Sequence, residues 1–252
     1  SEQRGIQSIE VGGRLLQALA REGRPMALKD LALAADMPAA KAHPYLVSFG
    51  KLGLIAQDNG SGRYGLGPLA MQLGLISLQQ FDPVRLATAR LPELALAMQQ
   101  TVGITVWGAH GPTVVRTEEA PSPVHVTMRH GAVMSLRDTA SGRLFAAHLP
   151  RDLVRSALRA SGTGPLDKAF EGELAGIRQA GLARAVDAVL PGVSGLAAPV
   201  FDGNGHLVLS LTAIGATAHF DTRLQGAPAQ ALQRCAAELS AQLGAPAAVT
   251  NA

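Results

Sequence analysis

Four consecutive small residues, Thr139-Ala140-Ser141-Gly142, have the types and the position expected of an anion-binding helix start. They come directly before a helical pattern, and the first N–H groups of a helix have no partner within it. Such N–H groups can receive a carboxylate, and small side chains let a ligand approach closely. A second interpretation stays open, in which these hydroxyls simply cap the helix. Arg137 could pair with an anionic ligand or with the neighbours of Asp138 at the surface.

A second set of residues lies on the segment after Pro38, which is predicted to be a helix that ends near Leu52. Leu46, Phe49 and Leu52 are expected to face the core. Reading DNA bases usually needs Arg, Lys, Asn or Gln, and the outward candidates include one such residue, a lysine, besides alanine methyl groups that could contact thymine. The tyrosine could instead be partly buried against the first helix. The candidates for groove contact are Ala39, Ala40, Lys41, His43, Tyr45 and Ser48.

Two further residues bear on DNA contact. Pro44 lies inside the predicted helix, where proline removes a hydrogen bond to residue 40 and tends to kink the axis. The side chains presented to a groove therefore depend on that kink. Arg63 follows the turn 58–62 and is our candidate for a phosphate or minor-groove contact, because arginine is favoured in narrow grooves. Its alternative is an exposed, solvated charge.

The elements that would position these residues occupy positions 1–67. A first helix is predicted with Ser8 as its N-cap, a second runs from about Lys29 to Ala35, and the third ends where Gly53 supplies a left-handed cap. Two strand-like runs then flank the turn that contains Asn59-Gly60. This order predicts a winged helix-turn-helix, in which the third helix enters a major groove and the hairpin tip reaches a phosphate or a minor groove.

The remainder of the chain predicts a linker helix and a second module. Residues 68–81 are apolar and helical in pattern, and residues 82–252 mix strands with helices. Val124–Met128 is predicted to be one of the strands, and Asp202-Gly203-Asn204-Gly205 is a strong hairpin turn. Strands covered by helices on one side make the expected fold class α+β.

Composition and charge exclude several classes of protein. Hydrophobic residues make up 47% and charged residues 16% of the 252 positions, which fits a folded protein. Cys235 is the only cysteine, so an intramolecular disulfide and a cysteine-based zinc site are excluded. The net charge of +3 says little about partners. We find neither a span of about 20 apolar residues nor a signal peptide, and therefore expect no membrane partner and a cytoplasmic location.

The sequence contains no complete catalytic motif. The run Gly192-Val193-Ser194-Gly195-Leu196 resembles a nucleophile elbow, but that motif needs glycine in place of Leu196 and a helix after the serine, where a strand is predicted. Gly203-Asn204-Gly205 lacks the third glycine of a dinucleotide loop. The seven histidines include no pair at metal-ligand spacing. We therefore expect no enzyme activity, no catalytic residue and no metal site.

A series of motifs runs through both modules in one order. They are the opening run Arg4–Ala20, the segments Leu28–Ala32, Lys51–Ile55 and Gly62–Gly67, and in the second module Arg129-His130-Gly131, Thr139–Arg143 and Pro191–Asp202. Their order and spacing, from about Arg4 to Leu243, resemble the IclR family of bacterial transcriptional regulators. No single motif is specific, and the resemblance rests on the whole set.

The resemblance implies a winged helix-turn-helix, a linker helix and a carboxy-terminal effector-binding domain related to GAF and PAS folds. Family members act as dimers or tetramers on palindromic operators in double-stranded DNA, and they repress or activate transcription. Their effectors are commonly small organic acids, often aromatic. They need no cofactor for this.

The resemblance also implies the residues of an effector pocket. Gly195 lies where many members carry cysteine, Thr212 and Ile214 lie on a strand that lines the cavity, and Asp187 lies near an acidic segment at the pocket mouth. Candidates for apolar walls, or alternatively for plain core, are Trp107, Met128, Met134 and Leu136. Together with the helix start, the implied effector-binding residues are Met128, Arg137, Thr139, Ala140, Ser141, Asp187, Gly195, Thr212 and Ile214.

Two hypotheses of function follow. In the first, the chain is a ligand-responsive regulator whose carboxy-terminal module binds a small organic acid and modulates operator binding. In the alternative, it is a metabolite-binding module whose helix-turn-helix serves protein contacts; the few base-reading side chains and Pro44 support this reading. A GAF-like enzyme would differ from both because it would turn over its bound molecule.

Overall fold

The computed structural model describes residues 5–79, 82–121 and 125–246. The chain divides into two compact units, one up to residue 81 and the other from Asp82 onward. Within the described ranges, no helix is both long enough and apolar enough to cross a membrane. In the same ranges, no three His, Cys, Asp or Glu side chains are grouped so that they could share a metal ion.

The first unit contains three helices, a hairpin and a fourth helix. Apolar residues recur every three to four positions along the first and third helices, so each buries one face in a shared core that includes Leu15, Leu31 and Leu46. Gly23 and Gly53 end these two helices with left-handed backbone, at φ of 64° and 76°. The elements are α1 (Gln7–Glu22), α2 (Leu28–Ala34), α3 (Ala39–Leu52), β1 (Ile55–Gln57), β2 (Tyr64–Leu66) and α4 (Pro68–Gln79).

Two local predictions in this unit are wrong. Ser8 is not the N-cap of α1, because the helix already begins at Gln7 and its N-cap, Ile6, makes no side-chain hydrogen bond. Leu52 does not face the core and is 61% exposed. It lies six residues after the buried Leu46, which at 3.6 residues per turn places it roughly 120° around the helix.

The second unit is a five-stranded antiparallel sheet with helices on both faces, so the prediction that helices cover one side is wrong. The strand order is β4-β3-β7-β6-β5. The strands are β3 (Thr101–Gly108), β4 (Gly111–Glu118), β5 (Ala183–Val186), β6 (Val193–Phe201) and β7 (Leu207–Ala216). The helices are α5 (Pro83–Thr88), α6 (Leu91–Met98), α7 (Ala140–His148), α8 (Arg151–Ser161), α9 (Lys168–Ala180) and α10 (Ala227–Gln242).

The two faces of this sheet carry different side chains, because alternate residues of a strand point to opposite faces. One face is aliphatic and packs in a single core with α5, α6 and α10. Its strand residues include Val102, Ile104, Leu196, Val200, Leu209 and Leu211. The opposite face carries small or hydroxylated residues that the register places side by side, among them Gly103, Thr105, Gly195, Ala197, Ser210 and Thr212. Helix α7 packs on this second face.

The predicted strand Val124–Met128 is not a strand where the structure describes it. Val124 lies outside the described residues, and His125–Met128 has no regular structure. The free edge of β4 is already occupied, because Gly131 donates to the carbonyl of Val114 and Val114 donates to Ala132. Residues 131 and 132, rather than the predicted strand, therefore pair with β4 at Val114.

Replacing Leu46 with alanine tests the packing of the first unit. The Leu46 side chain is 2% exposed, so Leu46→Ala should lower the free energy of unfolding by about 2–5 kcal/mol. The same change at the exposed Leu52 should cost less than about 0.5 kcal/mol. Urea unfolding followed by circular dichroism measures both, while the fluorescence of Trp107, the only tryptophan, reports the second unit separately. Equal losses for the two variants would contradict the orientation of α3.

Candidate ligand cavity and nucleic-acid interface

Helix α3 has one exposed and one packed face. Most of the predicted groove contacts lie on the exposed face, and Val47 and Lys51, which the sequence interpretation did not include, lie there too. Ala39 is half-buried. The predicted contacts that the structure leaves exposed on α3 are Ala40, Lys41, His43 and Ser48.

Tyr45 lies on the packed side of α3 and is half-buried. A Cβ atom at Gly12 of α1 would come within 2.8 Å of its Cδ1 atom and 3.0 Å of Phe49 Cζ. The two rings therefore pack directly on the backbone of α1. The structure agrees with the alternative interpretation of Tyr45, burial against the first helix, rather than with a groove contact.

Pro44 does not interrupt α3, which runs unbroken from Ala39 to Leu52. The residue is exposed, and so is Ala40, whose carbonyl loses its helical partner, so water can reach that carbonyl. Ser48 donates its hydroxyl to the carbonyl of Pro44 at 3.0 Å. Pro44 therefore lies on the exposed face of α3, between residues that are predicted to contact a DNA groove.

The β1–β2 hairpin carries Arg63 at the end of a fixed turn. Asp58 accepts hydrogen bonds from the Ser61 amide and hydroxyl, both at 2.7 Å, and these bonds lower the pKa of its carboxyl. Arg63 is exposed, and its guanidinium lies 3.4 Å from the carbonyl oxygen of Pro25. The side chain is therefore at the surface and pairs with no carboxylate among the described residues.

A cavity of about 160 Å³ lies in the second unit between the start of α7 and the small-residue face of the sheet. It brings together seven of the nine predicted effector-binding residues: Met128, Thr139, Ala140, Ser141, Gly195, Thr212 and Ile214. Met134, predicted as an apolar wall, also lines it. Trp107 and Leu136 instead belong to the core of α7, α8 and α9, so their alternative interpretation as plain core agrees with the structure.

The first turn of α7 lies beside this cavity and contains polar groups that have no partner among the described residues. Thr139 is the N-cap, and its hydroxyl accepts the Gly142 amide at 3.0 Å, so the cap interpretation is right for this residue. The hydroxyl of Ser141 is completely buried and has no hydrogen-bond partner within the described chain. The amides of Ala140 and Ser141 likewise have no acceptor among the described residues. A ligand oxygen could therefore bind here at the positive end of the helix dipole.

Two glycines, Gly142 in the first turn of α7 and Gly195 in the cavity lining, differ in how much room surrounds them. A Cβ atom at Gly142 would overlap the carbonyl oxygen of Ser135, so this position of α7 admits only glycine without a shift of the backbone. At Gly195 a Cβ atom would lie 3.4 Å from the Ala213 oxygen and 3.8 Å from Ala140 Cβ, which are ordinary contacts. Gly195 therefore enlarges the cavity without being required by the fold.

Hydroxyl groups of the sheet lie under the cavity. Thr212 is 4% exposed and its hydroxyl lies 3.2 Å from that of the buried Ser210. Thr105, opposite Ser210 in the register, has a buried hydroxyl without a partner among the described residues. Of these three residues Thr212 lines the cavity, whereas Ser210 and Thr105 lie beside it in the sheet and are not part of the lining.

Arg137 is not at the cavity. Its guanidinium pairs with Asp167 at 2.9 Å, donates to the carbonyl of Pro165 and lies 4.4 Å over the ring of Phe170. The Phe170 amide, and after it Arg137, hold the pKa of Asp167 below its usual range. The arginine therefore links the segment before α7 to α9, with a partner that neither sequence interpretation named, and is not free to receive an anionic ligand.

Asp187 is also absent from the lining, although its immediate neighbours are part of it. One oxygen of its carboxylate accepts the Gly192 amide at 2.9 Å and the Thr217 hydroxyl at 2.7 Å. The lining residues that the sequence interpretation missed include Val126, Thr127, Asp138, Ala185, Ala188, Val189, Leu190, Val193, Ser194 and Ala213. The alternation of β5 and β6 could have indicated Ala185 and Val193, whereas no sequence signal marked the loop residues.

The electrostatics of the cavity rest on few groups. Among the described residues that line it, Asp138 is the one charged side chain, and it accepts the Ser135 hydroxyl at 2.7 Å. His148 lies at the other end of α7, where burial, and secondarily Arg178, lower its pKa to about 4. Its imidazole is therefore neutral at physiological pH and adds no positive charge.

Comparison with known proteins gave a match to the same family for each of the two units. The family model "IclR helix-turn-helix domain" matches residues 8–59, and "Bacterial transcriptional regulator IclR C-terminal" matches residues 76–241. The glycerol operon regulatory protein of Streptomyces griseus is 31% identical over 252 residues, covering 96% of this chain and 98% of that protein. Its counterpart from Streptomyces coelicolor is 28% identical over the same shares of both chains.

Solved structures agree with these matches. The crystal structure of Pseudomonas aeruginosa HmgR is 35% identical, covers 96% of this chain and 100% of its own, and superposes with a TM-score of 0.85. The Agobacterium tumefaciens repressor BlcR shares the fold at a TM-score of 0.75, with 20% identity over 97% of this chain and all of its own. The chain therefore belongs to the IclR family and is a ligand-responsive, DNA-binding transcriptional regulator that oligomerises.

Proposed function

We propose that residues 1–67 bind the operator, that residues 68–81 form the linker helix, and that residues 82–252 bind a small monocarboxylic acid with an apolar body. The observation that carries the ligand class is the buried Ser141 hydroxyl, which has no partner among the described residues and lies beside two free amides of α7. A buried hydroxyl without a partner costs about 1–3 kcal/mol. A carboxylate is the ligand group that could accept hydrogen bonds from this hydroxyl and these amides.

The size of the cavity and the charge of its lining residues restrict which carboxylic acids could bind. A cavity of roughly 150 Å³ accommodates one benzene molecule, and the cavity beside α7 measures about 160 Å³. It therefore suits a single aromatic ring or a short aliphatic chain. Asp138, the one charged lining residue that the structure describes, opposes negative charge in the cavity, so a bound carboxylate depends on the donors at the start of α7 and a second negative charge on the ligand is disfavoured further. Benzoate meets both conditions and is a suitable probe.

The exposed face of α3 and the hairpin support operator binding. Lys41 and His43 can donate to base edges or phosphates, and Ala40 offers a methyl group to thymine. Arg63 adds a positive charge on the hairpin. For the acid to regulate binding, it must bind one arrangement of the oligomer more tightly than another, and that difference in affinity limits the response.

We also propose that the protein does not transform its ligand and that it works in the cytoplasm, where operator DNA is found. A serine nucleophile needs a base within hydrogen-bond reach, and the Ser141 hydroxyl has no such neighbour among the described residues. Ser141 is therefore suited to bind a ligand rather than to attack it.

A second function has specific support. The exposed face of α3 also bears Pro44 and Val47, so it carries few groups that read bases. In this alternative, the cavity binds a metabolite while the helix-turn-helix contacts another protein.

Selection of bound duplexes from a random DNA pool, at one stated salt concentration, tests these functions. The selection is run with and without benzoate. Enrichment of a palindrome, with affinity that falls steeply as salt rises, supports operator binding. A pool that stays unenriched in both conditions contradicts operator binding and favours the protein-contact alternative.

Ser141→Ala should move stability and ligand binding in opposite directions. The variant removes a buried hydroxyl without a described partner, so the free energy of unfolding should stay equal or rise. It also removes a hydrogen bond to a charged ligand, worth about 1.5–3 kcal/mol, so the Kd for benzoate should rise by about 10- to 100-fold.

Calorimetry with benzoate and thermal unfolding measure both effects. Ser156→Ala, the same change on an exposed part of α8, is the matched control and should alter neither. Benzamide tests the acid itself, because it has the same shape without the charge. Equal affinity for benzamide and benzoate would contradict the monocarboxylate class.

Helix α4 is proposed to contribute to self-association. Its sequence PLAMQLGLISLQ holds no charged residue, and Met71, Leu73, Leu75 and Ile76 are between 42% and 66% exposed. If Leu75 is buried between copies of the chain, Leu75→Ser should raise the dissociation constant of the oligomer by about tenfold or more. Analytical ultracentrifugation measures this, with Leu33→Ser on α2, where the leucine is 81% exposed, as the control. Dissociation by the control alone would place the contact elsewhere.

A further inference from the structure

The loop between β5 and β6, residues 187–192, forms one wall of the ligand cavity. Ala188, Val189 and Leu190 line the cavity. Val189 and Leu190 remain 60% and 59% exposed, so the loop packs on little protein of its own. Its position therefore has to be fixed by something other than a core.

Hydrogen bonds centred on Asp187 supply that anchor. Asp187 Oδ1 accepts the Gly192 amide at 2.9 Å and the Thr217 hydroxyl at 2.7 Å. Because Thr217 donates its one hydroxyl proton to Asp187, it accepts from the buried Ser194 hydroxyl at 2.8 Å. One carboxylate oxygen thus joins the two ends of the loop and ties both to the residue that follows β7.

Both ends of the loop have left-handed backbone. Asp187 has a left-handed conformation with φ of 52°, and Gly192 at the other end has φ of 81°. Aspartate tolerates this region better than most residues. The Asp187 amide donates to the carbonyl of Val193 and the Thr217 amide donates to that of Gly192, so the loop closes on β6 and β7.

We propose that Asp187 is a positioning residue that holds the β5–β6 loop as a wall of the cavity and that it does not touch the ligand. This inference rests on the proposed ligand-binding function. It assigns Asp187 a role different from that of Ser141 and Thr212, which line the cavity.

Three variants separate positioning from direct contact. Asp187→Asn keeps an oxygen that accepts both hydrogen bonds and tolerates the left-handed backbone, but it has no charge. Asp187→Gly keeps the backbone conformation without the side chain. Thr217→Val removes the donated hydroxyl and leaves the sequence of the loop unaltered.

Two readouts are needed, and the first does not require a ligand. Hydrogen exchange of the Gly192 amide in the ligand-free protein should quicken at least tenfold in Asp187→Gly and stay within twofold of wild type in Asp187→Asn. The Kd for benzoate should rise about tenfold in Asp187→Gly and severalfold in Thr217→Val, and stay within twofold in Asp187→Asn.

Either of two results would overturn the inference. An unchanged Gly192 exchange rate in Asp187→Gly would show that the loop needs no anchor. Loss of benzoate binding in Asp187→Asn, with Gly192 still protected, would show that the negative charge acts on the ligand directly. Failure of wild type to bind benzoate would count against the ligand class alone, because the exchange rates still decide whether Asp187 holds the loop.

Discussion

The start of α7 buries polar groups that the described protein does not satisfy. The close approach of the Ser135 carbonyl to Gly142, together with the Thr139 cap, fixes where this helix begins. That start lies against the sheet, so the Ser141 hydroxyl is withdrawn from water without gaining a described partner. Buried polar groups are otherwise almost always paired, and the cavity beside them is where a ligand would supply the missing acceptor.

The two faces of the same sheet differ in their side chains and in what they contact. The aliphatic face packs with α5, α6 and α10 and carries the main core of the unit. The other face has small and hydroxylated residues, which leave space under α7 and line it with hydrogen-bonding groups. A change such as Gly195→Ala can therefore alter the shape of the cavity without reaching the core, because its Cβ would make only ordinary contacts.

Local signals in the sequence indicated much of the fold and part of the site. Gly53 marked the end of α3, and the small residues from Thr139 to Gly142 marked the start of α7 and the cavity. Arg137 and Asp187 were misplaced because their partners, Asp167 and Thr217, lie 30 residues away along the chain. The orientation of the Tyr45 side chain depended on its contact with Gly12 of another helix. Such pairings are decided by tertiary packing, which neither periodicity nor composition records.

The central claim is that the amino-terminal end of α7 receives a carboxylate. Backbone amide NMR of protein titrated with benzoate, and separately with benzyl alcohol, tests it most directly. The account predicts that the Ala140 and Ser141 amide protons move downfield with benzoate, as they do on hydrogen bonding to an anion, and move much less with the alcohol. Equal shifts with both compounds, or shifts confined to residues outside the cavity, would contradict it.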